Sequence, residues 1–420
     1  MFEFVSFLFR ISVFFPTFAA DMKNFLTLFV ALGLSLVLSA QTYEPANDVI
    51  VWPQTLRERL DLLLTSEVLQ TSQVGLMVYD LTADAPLYTF NHRQTLRPAS
   101  TMKLLTAITA IDRLGGDYQL RTSFYYDGSI VSGCLQGNLY CVGGMDPLFD
   151  RTDMTALVSQ LRRMGINTIS GRILADMSFK DSDRLGEGWC WDDDNPVLTP
   201  LLYDRKDHFT EALAKELRRA GVVLADRNVP SSSSRRQKTF ITSRSHSLGE
   251  VLIPMMKESD NLFAESVFYQ IDAGTGGQPA TGRQAASKVR KMIQKVGLQP
   301  GDYKVADGSG LSLYNYVSAE LEVYFLRYAW FNRSVYAVLM PSLPVAGVDG
   351  TLKNRMTQGL AARNVYAKTG TLTGISSLAG YCVAPNGHAL AFCIINQGVM
   401  RIADGRAFQD AVCQALCEQE

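Results

Sequence analysis

Ser100 and Lys103 stand three positions apart in "RPASTMKLLTAITAIDRLGG", whose apolar positions Met102, Leu105, Ile108 and Leu114 recur at helical spacing. Residues i and i+3 share a helix face, so the lysine amine can reach the serine oxygen. A serine hydroxyl is a poor nucleophile at its own pKa and needs a neighbouring base. Lys103 can serve only while neutral, a state favoured by burial and by a second nearby cation. The competing reading is a helix start at which Ser100 caps a free backbone N–H. The chain holds one Ser-x-x-Lys, and about one or two are expected by chance at this length. The pair alone therefore decides nothing. Two further stretches could join it: "KESDNLFAES", with Ser259, Asp260 and Asn261, and "AKTGTLTG", with Lys368, Thr369, Gly370 and Thr371.

The elements that must position these groups are readable in outline. Alternation from Val74 to Phe90 predicts two strands joined near Ala83 to Ala85. After Gly116 the texture changes to short strands and tight turns, then a helix in "MTALVSQLRRMGI", a strand in "SGRILAD" and a helix in "EALAKELRRAGV", which together read as a separate small module. "DRNVPSSSSRRQK", Asp226 to Lys238, reads as a linker. Helices come next, from Leu248 past Gln294. "NVYAKTGTLTGISSLAGYCVAPNGHALAFCIIN" then predicts strand, loop, strand, a turn at Asn386-Gly387, and strand. A last helix, Ala403 to Glu418, carries Phe408, Ala411, Val412, Ala415 and Leu416 on one face and is expected to pack on that sheet.

Composition narrows the class. The chain has 420 residues, 47% apolar and 19% charged, which fits a globular protein of two or three domains. A formal net charge of -1 gives no bulk attraction to nucleic acid. Four scattered histidines, no tight Cys-x-x-Cys and no His-Glu-x-x-His leave no metal site to propose and imply no cofactor. From Met22, "MKNFLTLFVALGLSLVLSAQTYEP" has an early Lys, an apolar run and small residues at Ser39 and Ala40, the pattern of a secretory signal peptide. Removal after Ala40 is expected, with Leu38 leaving the site of cleavage open. Met22 is the expected true start, against the alternative of one long anchor broken by Asp21 and Lys23. Of the seven cysteines, Cys134 and Cys141 could face each other across a hairpin at Gly137-Asn138, bonded or not, and Cys413 and Cys417 read as buried thiols.

In order, Ser-x-x-Lys, Ser-Asp-Asn and Lys-Thr-Gly are the signature elements of penicillin-binding proteins and serine β-lactamases. "RPASTMKLLTA", "GNLYCVGGMDP", "SGRILAD", "GEGWCWDD", "ADGSGLSLYNYVS", "LPVAGVDGTLKNRM" and "AKTGTLTGISSLAGY" resemble stretches of the type-4 penicillin-binding proteins, from about Val74 to the end. The resemblance implies an α/β (α+β) fold: a β-lactamase/transpeptidase-like domain with a five-stranded antiparallel sheet flanked by helices, interrupted by a smaller inserted α/β domain. It divides the chain into a signal region (1–40), a first catalytic part (41–120), an inserted domain (121–238) and a second catalytic part (239–420). The separation of 159 positions from Ser100 to Ser259 is shorter than in the family's larger members, so one inserted subdomain is expected to be missing.

On that resemblance Ser100 is the nucleophile and Lys103 its base, with Lys368 the cation that lowers the Lys103 pKa. Ser259 passes a proton between Lys103 and the departing amine, and Asn261 binds Lys103 and the substrate amide. Asp260 points away and holds its turn. Lys368 and Thr369 hold the terminal carboxylate; the N–H groups of Ser100 and Thr371 form the oxyanion hole; Gly370 lets the substrate strand approach. Asp193, in "WCWDDD", is the expected partner of the diaminopimelate ammonium, with Asp192 next. The expected activity is a D-alanyl-D-alanine carboxypeptidase or DD-endopeptidase acting on peptidoglycan peptides in the periplasm, inhibited by β-lactams and at most peripheral to the membrane. The alternatives are a serine β-lactamase and a non-catalytic wall-binding or β-lactam-sensing protein. A class A β-lactamase would need a water-activating Glu-x-x-x-Asn between the last two motifs, where Glu320 falls instead at a helix start. Oligomeric state is not legible.

Overall fold

The strand Ala389–Gln397 is buried along its whole interior, as a strand covered on both faces must be. The computed structural model describes residues 51–192, 194–225, 238–273 and 278–418, and both the sheets and the site belong to the compact unit Thr55–Glu420. The signal region, Asp193 and nearly all of the linker fall outside the described residues. Five strands form the main sheet: β1 (Gln73–Asp80), β2 (Ala85–Phe90), β3 (Tyr366–Leu372), β4 (Ile375–Val383) and β5 (Ala389–Gln397), in the order β3-β4-β5-β1-β2 with every pair antiparallel. β1 and β2 are the expected hairpin, and β3 to β5 are the expected three strands.

Side chains alternate across the sheet with period two. Met77, Tyr79, Ala379, Tyr381, Ala391, Cys393 and Ile395 enter the larger core with helices α1 (Met102–Leu114), α2 (Leu248–Lys257), α3 (Asn261–Asp272), α4 (Gly282–Lys295) and α5 (Ala319–Phe331). The last helix, α6 (Ile402–Cys417), packs on β4 as expected. The apolar spacing of α1 suggests a two-faced helix, but every residue from Met102 to Ile111 is buried, because helices and sheet surround it. Gly115, at φ 80°, ends it by returning its N–H to the Ile111 carbonyl.

Between β2 and β3 a second core forms around Phe124, Leu139, Leu157, Phe209 and Leu213. It is built on two four-stranded sheets. One runs Thr239–Ser247, Gln119–Tyr126, Leu139–Val142, Ile173–Asp176; the other runs Ser129–Val131, Cys134–Gln136, Thr168–Ile169, Val223–Leu224. The hairpin expected at Gly137-Asn138 does not form. Cys134 and Cys141 belong to different sheets, the first beside Val131 and Thr168, the second beside Phe124 and Ala175. The reason is Asp127, whose carboxylate accepts from the Asn138 N–H (2.6 Å) and from the Tyr140 hydroxyl (2.8 Å), turning the chain away. All seven cysteines are free, with Cys413 and Cys417 buried as expected. Among the described residues no helix is long and apolar enough to cross a membrane.

Candidate active site

Ser100 sits on one turn of 3-10 helix, Ala99–Thr101, that feeds α1. Its side chain is not a cap: no side-chain capping bond is made at this helix start. Ala99 is held at φ 49°, a left-handed conformation that costs a non-glycine residue roughly 1 kcal/mol or more. Three groups hold the strained turn. The Pro98 carbonyl accepts from Thr101 Oγ1 (2.9 Å) and Ser377 Oγ (2.5 Å), and Thr101 Oγ1 lies 2.6 Å from the buried Glu322 carboxyl. Burial pushes Glu322 up to about 7, and its protonated form can donate to Thr101, leaving the threonine proton for Pro98.

Lys103 is fully buried, with Nζ 2.9 Å from Ser100 Oγ, 2.8 Å from Asn261 Oδ1 and 2.8 Å from the Ser309 carbonyl. The last two are acceptors only. A neutral amine therefore gives its two hydrogens to them and turns its lone pair to Ser100. Burial depresses Lys103 to about 7, against the opposing pull of Asp307 and Glu265. Of the two expected causes, burial and the Lys368 cation, burial is the one that sets the direction. Lys368, also fully buried, is itself pushed down by burial and then by Lys103.

Ser259 has φ 62°, and Asp260 beside it caps α3 by accepting from the Phe263 N–H (3.2 Å), the turn-holding role expected of it. Ser259 was expected against Lys103. Instead its Oγ accepts from Lys368 Nζ (2.8 Å), whose other bond goes to the Thr369 carbonyl (2.6 Å). Thr369 donates to Thr351 Oγ1 (2.7 Å). Ser100, Ser259, Thr351, Thr369, Thr371 and Arg406 line one cleft of about 520 Å³. Arg406 donates to Thr371 Oγ1 at 3.4 Å, which makes that side of the cleft cationic.

Gly370 also has a use within the fold. A Cβ there would stand 2.1 Å from Ser377 Oγ, 2.7 Å from the Pro98 carbonyl and 2.9 Å from the Ser100 nitrogen. It is the nucleophile turn that comes close. Ser100, Lys103, Ser259, Asn261, Lys368 and Thr369 are thus joined by hydrogen bonds or a shared cleft, while Asp193 lies outside the described residues. Nearby, Glu187 pairs with Lys304 (2.6 Å) and Asp192 is exposed.

Sequence reasoning missed the layer beneath. Buried Glu265, raised to about 8 by burial and then by Asp307, accepts from the N–H groups of Gly308 and Ser309, the latter at 2.8 Å. Asp307 folds the same turn by accepting from Gly310 N–H (2.8 Å), Ser312 N–H (2.7 Å) and Asn315 Nδ2 (2.7 Å). The available signal was a carboxylate inside each of two apolar helices, "LFAESVF" and "AELEVYF", since an ionisable group at a core position is rare unless it is hydrogen-bonded or paired.

The profile of the D-Ala-D-Ala carboxypeptidase 3 (S13) family matches residues 56–202 and 198–419. The chain is 25% identical over 413 residues to D-alanyl-D-alanine carboxypeptidase DacB of Haemophilus influenzae, covering 78% of this chain and 86% of that protein. It is 27% identical over 460 residues to the D-alanyl-D-alanine carboxypeptidase of Actinomadura sp. (strain R39), covering 86% and 84%. In fold it is similar to the crystal structure of penicillin-binding protein 4 from Haemophilus influenzae, with TM-score 0.74, 24% identity, and 85% and 98% of the two chains covered. The chain belongs to the D-Ala-D-Ala carboxypeptidase 3 (S13) family, and its fold and function are those of a serine DD-peptidase.

Proposed function

We propose that the enzyme cleaves the terminal D-Ala-D-Ala bond of peptidoglycan peptides through an acyl-enzyme at Ser100. The observation that carries this reading is the buried Lys103 amine, 2.9 Å from Ser100 Oγ with its two remaining partners restricted to accepting. Neutral Lys103 takes the Ser100 proton as Oγ bonds to the penultimate carbonyl carbon. The oxygen left with the negative charge is met by the Ser100 and Thr371 N–H groups. β3 is an edge strand of its sheet, so an extended peptide can lie along its open side. The C–N bond then breaks as the proton held by Lys103 passes by way of the Ser259 hydroxyl to the departing D-Ala nitrogen, which leaves Lys103 neutral again, while the Lys368 amine holds the Ser259 oxygen in place. Water completes the cycle: it gives a proton to neutral Lys103 as it attacks the ester carbon, and Lys103 returns that proton to Ser100 Oγ as the ester C–O bond breaks. Thr369 and Arg406 face the terminal carboxylate of the leaving residue.

The same chemistry with a β-lactam stops at the ester, consistent with the crystal structure of the Haemophilus influenzae protein complexed with a β-lactam. The domain division at 120 and 238, the recognition of diaminopimelate by Asp193, and export to the periplasm belong to this reading. Fluorescent penicillin followed by peptide mapping tests its centre. Label is expected on the peptide holding Ser100 and absent from Ser100→Ala; label retained in that variant would remove Ser100 as nucleophile.

The pH dependence has a defined sign. Lys103 acts as base only when neutral, so the acylation rate should rise with pH and level off above an inflection near 7, the depressed value that burial imposes. Rapid-mixing acylation from pH 5 to 9 measures it. A flat profile across this range would mean that Lys103 is not the group that accepts the proton.

A further inference from the structure

Two side chains from between the first and second motifs reach the turns that carry the site. Arg205 pairs with Asp260, and its guanidinium lies over the Phe263 ring, 5.1 Å from the centroid. Asp260 is thereby held on both oxygens: Oδ1 accepts from Phe263 N–H and Oδ2 faces Arg205. The turn that presents Arg205 is strained, with Asp204 at φ 44° and Arg205 at φ 65°. It is closed by the Tyr203–Lys206 bridge and tied to the second core by the Asp204 N–H to the Phe149 carbonyl (3.1 Å). Two successive left-handed non-glycine residues persist only where their surroundings fix them, and such strain gathers at functional sites.

The second contact is Trp189, whose indole N–H donates to Asp307 Oδ2 at 2.8 Å. Both residues are buried. Asp307 organises the turn whose Ser309 carbonyl receives Lys103, so this indole bond ends one turn away from the base. Gly186 lies against the indole so closely that a Cβ would stand 2.5 Å from it, which fixes the ring. The inserted stretch therefore holds both turns that close on Lys103, one from each side: Asn261 by way of Asp260, and Ser309 by way of Asp307.

We propose that Arg205 and Trp189 are positioning residues that make the inserted stretch a working part of the catalytic centre. The inference rests on the assignment of Ser100, Lys103, Ser259 and Asn261 under the proposed function. It predicts a loss in the chemical step with little loss in substrate binding, because neither side chain is needed to touch the peptide.

The test uses the full chain and a D-Ala-D-Ala peptide, with kcat and KM measured separately and folding followed by circular dichroism. Arg205→Ala should lower kcat roughly 10- to 100-fold, the scale of a small misplacement of reacting groups, with KM within about 2-fold. Arg205→Lys, which keeps the charge, should recover a large part. Trp189→Phe keeps the ring but not the N–H, and should lower kcat by roughly 10-fold with KM again unmoved. In Asp260→Asn, where the pair is already broken, adding Arg205→Ala should cost no more than about 2-fold further. Wild-type kcat in Arg205→Ala and Trp189→Phe would overturn the proposal, as would an Arg205→Ala loss undiminished in the Asp260→Asn background. If Arg205→Ala does not fold, Arg205→Lys and Trp189→Phe decide alone, equal and wild-type kcat in both being the overturning result. Loss of penicillin label in Ser100→Ala separates the two readings: label retained there sinks the site assignment, whereas label lost there with wild-type kcat in the Arg205 and Trp189 variants sinks only this one.

Discussion

Lys103→Arg should all but silence the enzyme, with acylation by penicillin and peptide turnover both down by roughly 10²- to 10⁴-fold, the usual range for removing a positioned base. A guanidinium keeps the positive charge and the donors but cannot give up its proton. The neighbours sharpen the expectation. Asn261 Oδ1 and the Ser309 carbonyl can only accept, so a group that stays cationic offers Ser100 a hydrogen where it needs a lone pair. The arginine is also larger than a pocket with no exposed surface, so Lys103→Met, similar in length and uncharged, is measured beside it. Both variants should retain a cooperative thermal transition and lose acylation alike. Acylation at the wild-type rate in either one, at pH 8, would take the base role away from Lys103.

Gly370→Ala should be nearly as damaging although it adds one carbon and touches no proton. The new Cβ would stand 2.1 Å from Ser377 Oγ, a contact that only movement can relieve. If Ser377 rotates away, its 2.5 Å bond to the Pro98 carbonyl is lost; if the strand moves, the Ser100 nitrogen 2.9 Å from that Cβ moves relative to β3. Either response shifts the nucleophile turn against the strand that supplies the Thr371 N–H. Overpacking of this kind costs about 1 to 3 kcal/mol, and a displaced nucleophile costs on the order of 100-fold in rate. A lowered thermal midpoint together with slow acylation is expected. An unchanged midpoint and acylation rate would show that the turn and strand tolerate separation.

The sheet and its helices were legible because their signals are local. β1, β2 and the three C-terminal strands are announced by alternation and turn residues, and α6 by a face repeated at helical spacing. The hairpin at Gly137-Asn138 fails because a turn dipeptide reports only local preference, and the Asp127 carboxylate, eleven positions away, captures the Asn138 N–H instead. At the site, residue types announced which groups could do chemistry but not which hydroxyl meets which amine. Ser259 bonding Lys368 rather than Lys103 depends on the left-handed backbone at Ser259 and on the depth of both lysines. The carboxylates beneath, Glu265, Asp307 and Glu322, act through burial and hydrogen bonds between segments far apart in sequence, and no spacing rule encodes those.

The order of the strands sets when this enzyme can begin to exist. The hairpin β1–β2 leads the chain into the nucleophile turn, yet the inner neighbour of β1 is β5, with Gln73 opposite Gln397. The central ladder of the sheet therefore closes across more than three hundred residues, and contacts of such long sequence separation are slow to form. A chain emerging from the N-terminal end displays Ser100 and Lys103 early, but without β3, β4 and β5 it has neither the strand that receives the substrate nor the cover that strips water from the lysine. Assembly is in this sense a latch: the nascent chain is chemically silent until its last strand arrives. Any product cut short before β5 would remain an inert polypeptide instead of a partly active hydrolase.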